Sequence, residues 1–231
     1  MVRHRWCKQI VAGGVIAILA ASAIWLPNEA QAVPVTFEFS GTVTSLLGSS
    51  VGGPVALNDT FTGSYTFEST TVGTGSCAGT GNCQYNDAIS SLNFTVGSYT
   101  NTGVTSGTNY IFVNNDDSGY DLYQVIQGFS GPSINGAQAQ TFNLTLFDSL
   151  MTMLSGTSLP TTPPTFPGSH EFIITFYNGL GGPGDNVGQI YGNLTSLAPV
   201  PVPSTVWLFG GGFVILALWR LRAQRLGQTV S

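Results

Sequence analysis

The chain has 231 residues, with six Lys and Arg against eleven Asp and Glu and a formal net charge of −5 at pH 7. Arg3, Arg5, Lys8, Arg220, Arg222 and Arg225 all lie at the two ends, so residues 33–199 hold ten acidic residues, one histidine, and no Lys, Arg or Trp. Nucleic-acid binding by counterion release, P-loops, lysine nucleophiles and arginine clamps all need cations, and the interior has none to offer.

The first element is a basic stretch ending at Lys8, followed by an apolar run over residues 10–26 and then Asn28-Glu29-Ala30-Gln31-Ala32. That order reads as a secretory signal peptide, residues 1–32, with Ala30 and Ala32 offering small side chains to signal peptidase and cleavage before Val33. An uncleaved anchor helix is the alternative, which a run of this length barely permits. Cys7 precedes the apolar run and is therefore no lipoprotein acceptor.

From residue 33 to about 198 the periodicity is two. Val35, Phe37, Phe39 and Val43 alternate with Thr36, Glu38, Ser40 and Thr42; Phe61, Tyr65 and Phe67 alternate with Thr and Ser, with Gly63 in phase. The pattern recurs at Leu92-Phe94-Val96, Phe142-Leu144-Leu146 and Phe172-Ile174-Phe176, and marks half-buried antiparallel strands. Clusters of Gly, Asn, Asp and Ser at 48–53, 114–119 and 179–186 read as turns. Phe39-Ser40-Gly41-Thr42-Val43-Thr44 echoes Phe61-Thr62-Gly63-Ser64-Tyr65-Thr66, and two copies make no solenoid. The expectation is an all-β ectodomain over 33–198, an antiparallel β-sandwich of jelly-roll type with eight or more short strands. Residues 157–167, with four prolines, read as a long loop inside it.

Cys77 and Cys83 are the only cysteines after the signal peptide, and an oxidising compartment makes them a disulfide. So small a ring contributes about 2 kcal/mol by chain-entropy reckoning, enough to pin a local excursion. Two lone thiols are the alternative. A zinc site needs three or four ligands, and His170 is the only histidine available to join them.

Asn114-Asn115-Asp116-Asp117-Ser118-Gly119-Tyr120-Asp121 is the one acidic knot. Asn114, Asp116, Asp117 and Asp121 are a calcium candidate by spacing and oxygen content, although the bidentate Glu of an EF-hand is missing. The same residues suit a hairpin turn between Phe112 and Tyr123, because Asn, Asp and Gly accept left-handed φ. The ectodomain lacks Gly-x-Ser-x-Gly, Ser-x-x-Lys, His-Glu-x-x-His and Cys-x-x-Cys. Glu38, Glu68 and Glu171 are the carboxylates from which a glycosidase pair would have to come. No catalytic residue, metal or cofactor is assigned. Sequons at Asn93, Asn143 and Asn193 fall where Thr-rich strands place them anyway.

The last element joins Val200-Pro201-Val202-Pro203-Ser204-Thr205-Val206-Trp207-Leu208-Phe209-Gly210-Gly211-Gly212 to an apolar run, residues 206–219, and then to Arg220, Arg222 and Arg225. Tryptophan at both ends and no acidic residue within it suit a membrane-spanning helix, and the arginines place its far end in the cytoplasm. Val200 to Pro203 and snorkelling arginines make up for its shortness. Two prolines keep the approach extended and open to a protease.

This three-part arrangement resembles the PEP-CTERM sorting signal, in the subtype reading VPVPxxVWLFGxG. Pro201, Val202, Pro203, Trp207, Gly210 and Gly212 match its motif, with Val202 where the Glu of the family name would stand. The resemblance implies handling over residues 199–225 by an exosortase, a membrane-embedded Cys-dependent transpeptidase, with 226–231 as a cytoplasmic tail. It is also similar in layout to PEP-CTERM proteins whose ectodomains begin with such a strand pair. The function to expect is that of a non-enzymatic exported protein, held in the inner membrane on its way to the cell surface or exopolysaccharide matrix. Its partners are signal peptidase, an exosortase, the membrane and extracellular polysaccharide. Alternatives are a carbohydrate-binding module using Tyr110, Tyr120 and Tyr123, and a secreted glycoside hydrolase.

Overall fold

The computed structural model describes residues 34–200 apart from 49, 166 and 179–185. The segment read as a signal peptide, residues 1–32 with Ala30 and Ala32, and the expected cleavage point at Val33 lie outside the described residues. So do the residues read as a sorting motif, Pro201, Val202, Pro203, Trp207, Gly210 and Gly212, the arginines Arg220, Arg222 and Arg225, and residues 226–231. Most of the 179–186 turn falls outside as well.

Eleven strands make up the described chain: β1 (Pro34–Leu47), β2 (Thr60–Glu68), β3 (Thr74–Gly75), β4 (Gly81–Asn86), β5 (Ile89–Val96), β6 (Tyr99–Thr100), β7 (Gly103–Asp117), β8 (Tyr120–Ser130), β9 (Gln138–Asp148), β10 (Ser169–Tyr177) and β11 (Asn186–Pro199). They form one antiparallel sheet in the order β3-β4-β7-β8-β9-β10-β11-β1-β2-β5-β6. β7 to β11 are a run of consecutive hairpins, and the β1–β2 pair is laid against its last member. The sheet curls into a half-barrel. The curl brings β5 back into contact with β7 and β8.

Why it curls is visible in the repeated Phe-x-Gly segments. Paired antiparallel, β1 and β2 set Phe39 opposite Gly63 and Gly41 opposite Phe61; the Phe39 ring lies on Gly63, while Gly41 is faced by the Asn193 backbone of β11. A Cβ on Gly63 would lie 2.5 Å from Cζ of Phe39. Phe172 is likewise opposite Gly192, and its ring fills the place a Cβ there would need. Glycine lets a ring lie flat across the neighbouring strand, and bulges add local bend. The β1–β11 ladder slips register at Ser40/Gly41 and again at Val43/Ser45.

The flattened rings meet in the interior. Phe61 stacks on Phe172 with centroids 3.7 Å apart and on Phe39 at 4.9 Å, while Phe142 lies 5.5 Å from both Phe39 and Phe94. Tyr65 and Tyr123, fully buried, join their hydroxyls across the interior at 3.0 Å. Burial raises both phenols above their ordinary pKa, and that of Tyr99 to about 12.

Two asparagines extend the ladder where strands end. Asn109 accepts from the Ile89 amide at 3.0 Å and donates to the Ile89 carbonyl at 2.8 Å. Asn101 does the same for the Phe94 amide and the Leu92 carbonyl, at 2.6 and 2.8 Å. Side-chain amides thus occupy positions on the free edge of β5 that a neighbouring strand would fill, which spares β5 unpaired backbone groups.

If close ring-to-glycine contact sets the curl, Gly63→Ala overpacks it and destabilises the domain by about 1–3 kcal/mol. The outward-facing Ser64→Ala stays within about 0.5 kcal/mol. Urea unfolding of both variants checks this.

Candidate functional site

Three features singled out in the sequence meet at one end of the half-barrel: the cysteine ring, the Asn/Asp knot and the proline-rich loop. The knot is the β7–β8 hairpin. Asp117 pairs with Tyr120 around Ser118 (φ 60°) and Gly119 (φ 84°), a two-residue turn with both φ values positive, which matches the right-handed twist of the strands. Asn114 closes it, accepting from the Asp117 amide at 3.1 Å and donating to the Asp117 carbonyl at 3.4 Å.

β4 pairs with β7 and so carries Cys83 beside the hairpin. Cys83 is buried and disulfide-bonded to the exposed Cys77. Asn115 donates to the Gly79 carbonyl inside the ring at 3.3 Å, and Asn82 donates to the Asp117 carboxylate at 3.0 Å.

Residues 149–168 form a strap from β9 to β10, fastened by two carboxylates that stand opposite each other in the ladder, Asp121 and Asp148. Both are buried. Asp121 accepts from the amides of Met153 and Leu154 at 3.0 and 2.9 Å through one oxygen, and from the Asp116 amide at 3.0 Å through the other. Asp148 accepts from the Leu150 amide and from the amide and hydroxyl of Thr152, each at 2.8 Å. Those donors hold its carboxyl below the ordinary carboxylate value, led by the Leu150 and Thr152 amides. In a domain without Lys or Arg, buried carboxylates can be compensated only by N–H and O–H donors, and the strap supplies them. Farther along, Tyr85 donates to the Thr157 carbonyl at 2.7 Å and Leu159 is buried. The strap encloses a recess of about 480 Å³ lined by Met153, Leu154, Leu159, Pro160, Pro163 and Pro164 among others.

The calcium candidates therefore do turn and fastening work. Asn114 and Asp117 bond within the hairpin and to the ring, Asp121 holds the strap, and Asp116 is exposed with φ 58°. Among the described residues no group of three or more His, Cys, Asp or Glu is placed to hold a metal.

Glu38, Glu68 and Glu171 are kept apart by register. Glu38 pairs with Ser64, four residues from Glu68, which is about 13 Å along a strand between the two backbones. Glu171 is farther still from Glu38, two strands away in the row of Thr42. His170 donates its Nδ1–H to the Gly168 carbonyl at 2.8 Å.

Of the three tyrosines considered as sugar platforms, Tyr123 is corrected by the structure. It lies on the inward phase of β8 and is fully buried against Tyr65. Tyr120 is half-buried and packs on Phe147 at 5.2 Å; Tyr110 is half-exposed on the outer face. Sequence reasoning missed a row on that face, Tyr110, Ile126, Asn143, Ile173 and Tyr191, each half-buried and opposite the next across five strands. No protein-family model, curated protein or solved structure matches this chain.

The lowered value at Asp148 has a definite sign. Its contribution is full above the ordinary carboxylate value near 4 and is lost as pH falls through the lower folded value. Protection of the Leu150 and Thr152 amides against exchange, taken relative to the intrinsic rate at each pH, should fall on that acid side, and Asp148→Asn should remove this pH dependence of protection.

Proposed function

We propose that the chain is an exported, C-terminally tethered surface protein of the PEP-CTERM type, without enzymatic activity. In this reading signal peptidase removes residues 1–32, residues 206–219 sit in the inner membrane with Arg220, Arg222 and Arg225 on the cytoplasmic side, and an exosortase acts on the segment around Pro201 to Pro203. The β-domain faces the periplasm and then reaches the cell surface or the exopolysaccharide matrix. The observation that carries this is the segregation of charge: every cation flanks one of the two apolar runs, and the sheet between them has none. A disulfide suits an oxidising compartment. The sandwich description rests on the facing of β5 against β7 and β8; consecutive hairpins give jelly-roll winding no support.

Mass spectrometry of the protein recovered from membrane and from medium tests the reading. Mature chains should begin at Val33, and released chains should end near Ser204. Chains intact to Ser231 in every fraction would reduce the C-terminal segment to a plain anchor.

A second reading, a carbohydrate-binding surface, is favoured by the outer-face row that begins and ends in Tyr110 and Tyr191. Aromatic faces with amide and hydroxyl neighbours are suited to sugar rings, and Asn143 and Thr145 lie between them. Retention on exopolysaccharide should then fall severalfold in Tyr110→Ala and Tyr191→Ala.

A further inference from the structure

We infer that the strap end of the half-barrel seats directly on the lipid surface, with Leu150, Met151 and Val72 entering the interfacial layer; the inference rests on the tail-anchored reading above. The position of the exit carries it. β1 and β11 lie side by side with Phe37 opposite Pro199, and the Val200 amide still donates to the Thr36 carbonyl at 3.0 Å. Only residues 201–205 separate this last bonded residue from the apolar run that begins at Val206. Five residues reach at most about 17 Å when extended. The headgroup layer occupies about 5–7 Å of that, so the end of the sheet is held within about 12 Å of the membrane.

The end so held is the one bearing the strap. β11 runs toward it, β2 finishes there with Glu68 opposite Pro34, and β9 finishes there at Asp148. Val72 follows β2 and is 85% exposed; Leu150 and Met151 follow β9 and are 71% and 44% exposed. Exposed apolar residues occur at the opposite end too, at Leu47 and Leu57, so exposure alone does not choose a face. Two further facts distinguish this end. Leu150 and Met151 are adjacent, and their turn is rigid: Met151 has φ 57°, rare for a residue with a side chain, and Asp148 grips the turn with three hydrogen bonds. Apolar side chains on a fixed turn meet an interface without the entropy cost of ordering a free loop.

Charge sets the kind of contact. Glu38, Glu68, Asp87, Asp116, Asp117, His170 and Glu171 are the acidic and histidine side chains toward this end besides the fastened Asp121 and Asp148, and no Lys or Arg accompanies them. The seat is therefore apolar, and anionic lipid does not strengthen it.

The test uses the chain from Val33 to Ser231, native disulfide intact, reconstituted into phosphatidylcholine vesicles with a fluorophore on Leu150→Cys, Val72→Cys or Leu57→Cys. Nitroxide-bearing lipid should quench the labels at 150 and 72 severalfold more than the label at 57, with no gain when phosphatidylglycerol is added. Equal quenching at all three positions on vesicle-bound protein overturns the seat and leaves the tether standing. Protein that fails to float with the vesicles overturns the tether, and the seat with it.

Discussion

Phenylalanine lying across glycine is the contact on which the rest of the domain depends. Phe39 over Gly63 and Phe172 over Gly192 let large rings lie flat in the ladder, so that Phe61, Phe172, Phe39 and Phe142 stack in the interior. Side chains of ordinary size at those glycines would hold the rings upright and keep the sheet open. Because the rings lie down, a single sheet buries its own concave face without a second sheet or a covering helix, as a half-barrel must. Tyrosine hydroxyls left inside by this curl then find each other, as Tyr65 and Tyr123 do.

From the curl follows the position of the chain's two ends. The ladder is completed only when β11 pairs with β1, the last described strand with the first. Pro34 and Pro199 therefore emerge together, beside the end where ring, hairpin and strap are fastened. A chain whose last bonded residue, Val200, is followed directly by Pro201 and separated by five residues from an apolar run has little freedom of placement. The local absence of Lys and Arg acts on the same region, because it leaves the burial of Asp121 and Asp148 to be compensated by N–H and O–H donors of the strap and hairpin.

Much of this was legible in the sequence. Strict alternation located β1, β2, β5, β9 and β10, since one buried and one wet face impose a period of two. The Cys77–Cys83 bond was legible because no other cysteine follows the N-terminal segment and an exported chain is oxidised, and the turn chemistry at Ser118-Gly119 lies where the Asn/Asp/Gly cluster indicated. The Phe-x-Gly echo was visible as repetition, but its meaning was not: reciprocal pairing of ring and glycine exists only once the antiparallel register is known. β8 was harder to find because its inward phase includes Asp121 and Gln127, polar residues that blur the alternation. For the same reason Tyr123 looked available to a ligand. The fastening of the strap depends on Asp121 and Asp148 being cross-strand neighbours, 27 positions apart in the chain, which no local pattern reports.

The redox state of Cys77 and Cys83 in living cells tests the central claim, that the cation-free sheet is made for a compartment outside the cytoplasm, most directly. Acid-quenched cells treated with a thiol-alkylating mass tag should show both cysteines protected in the full-length chain and both modified in a chain lacking residues 1–32. Full modification in the chain that retains its N-terminal segment would contradict the account.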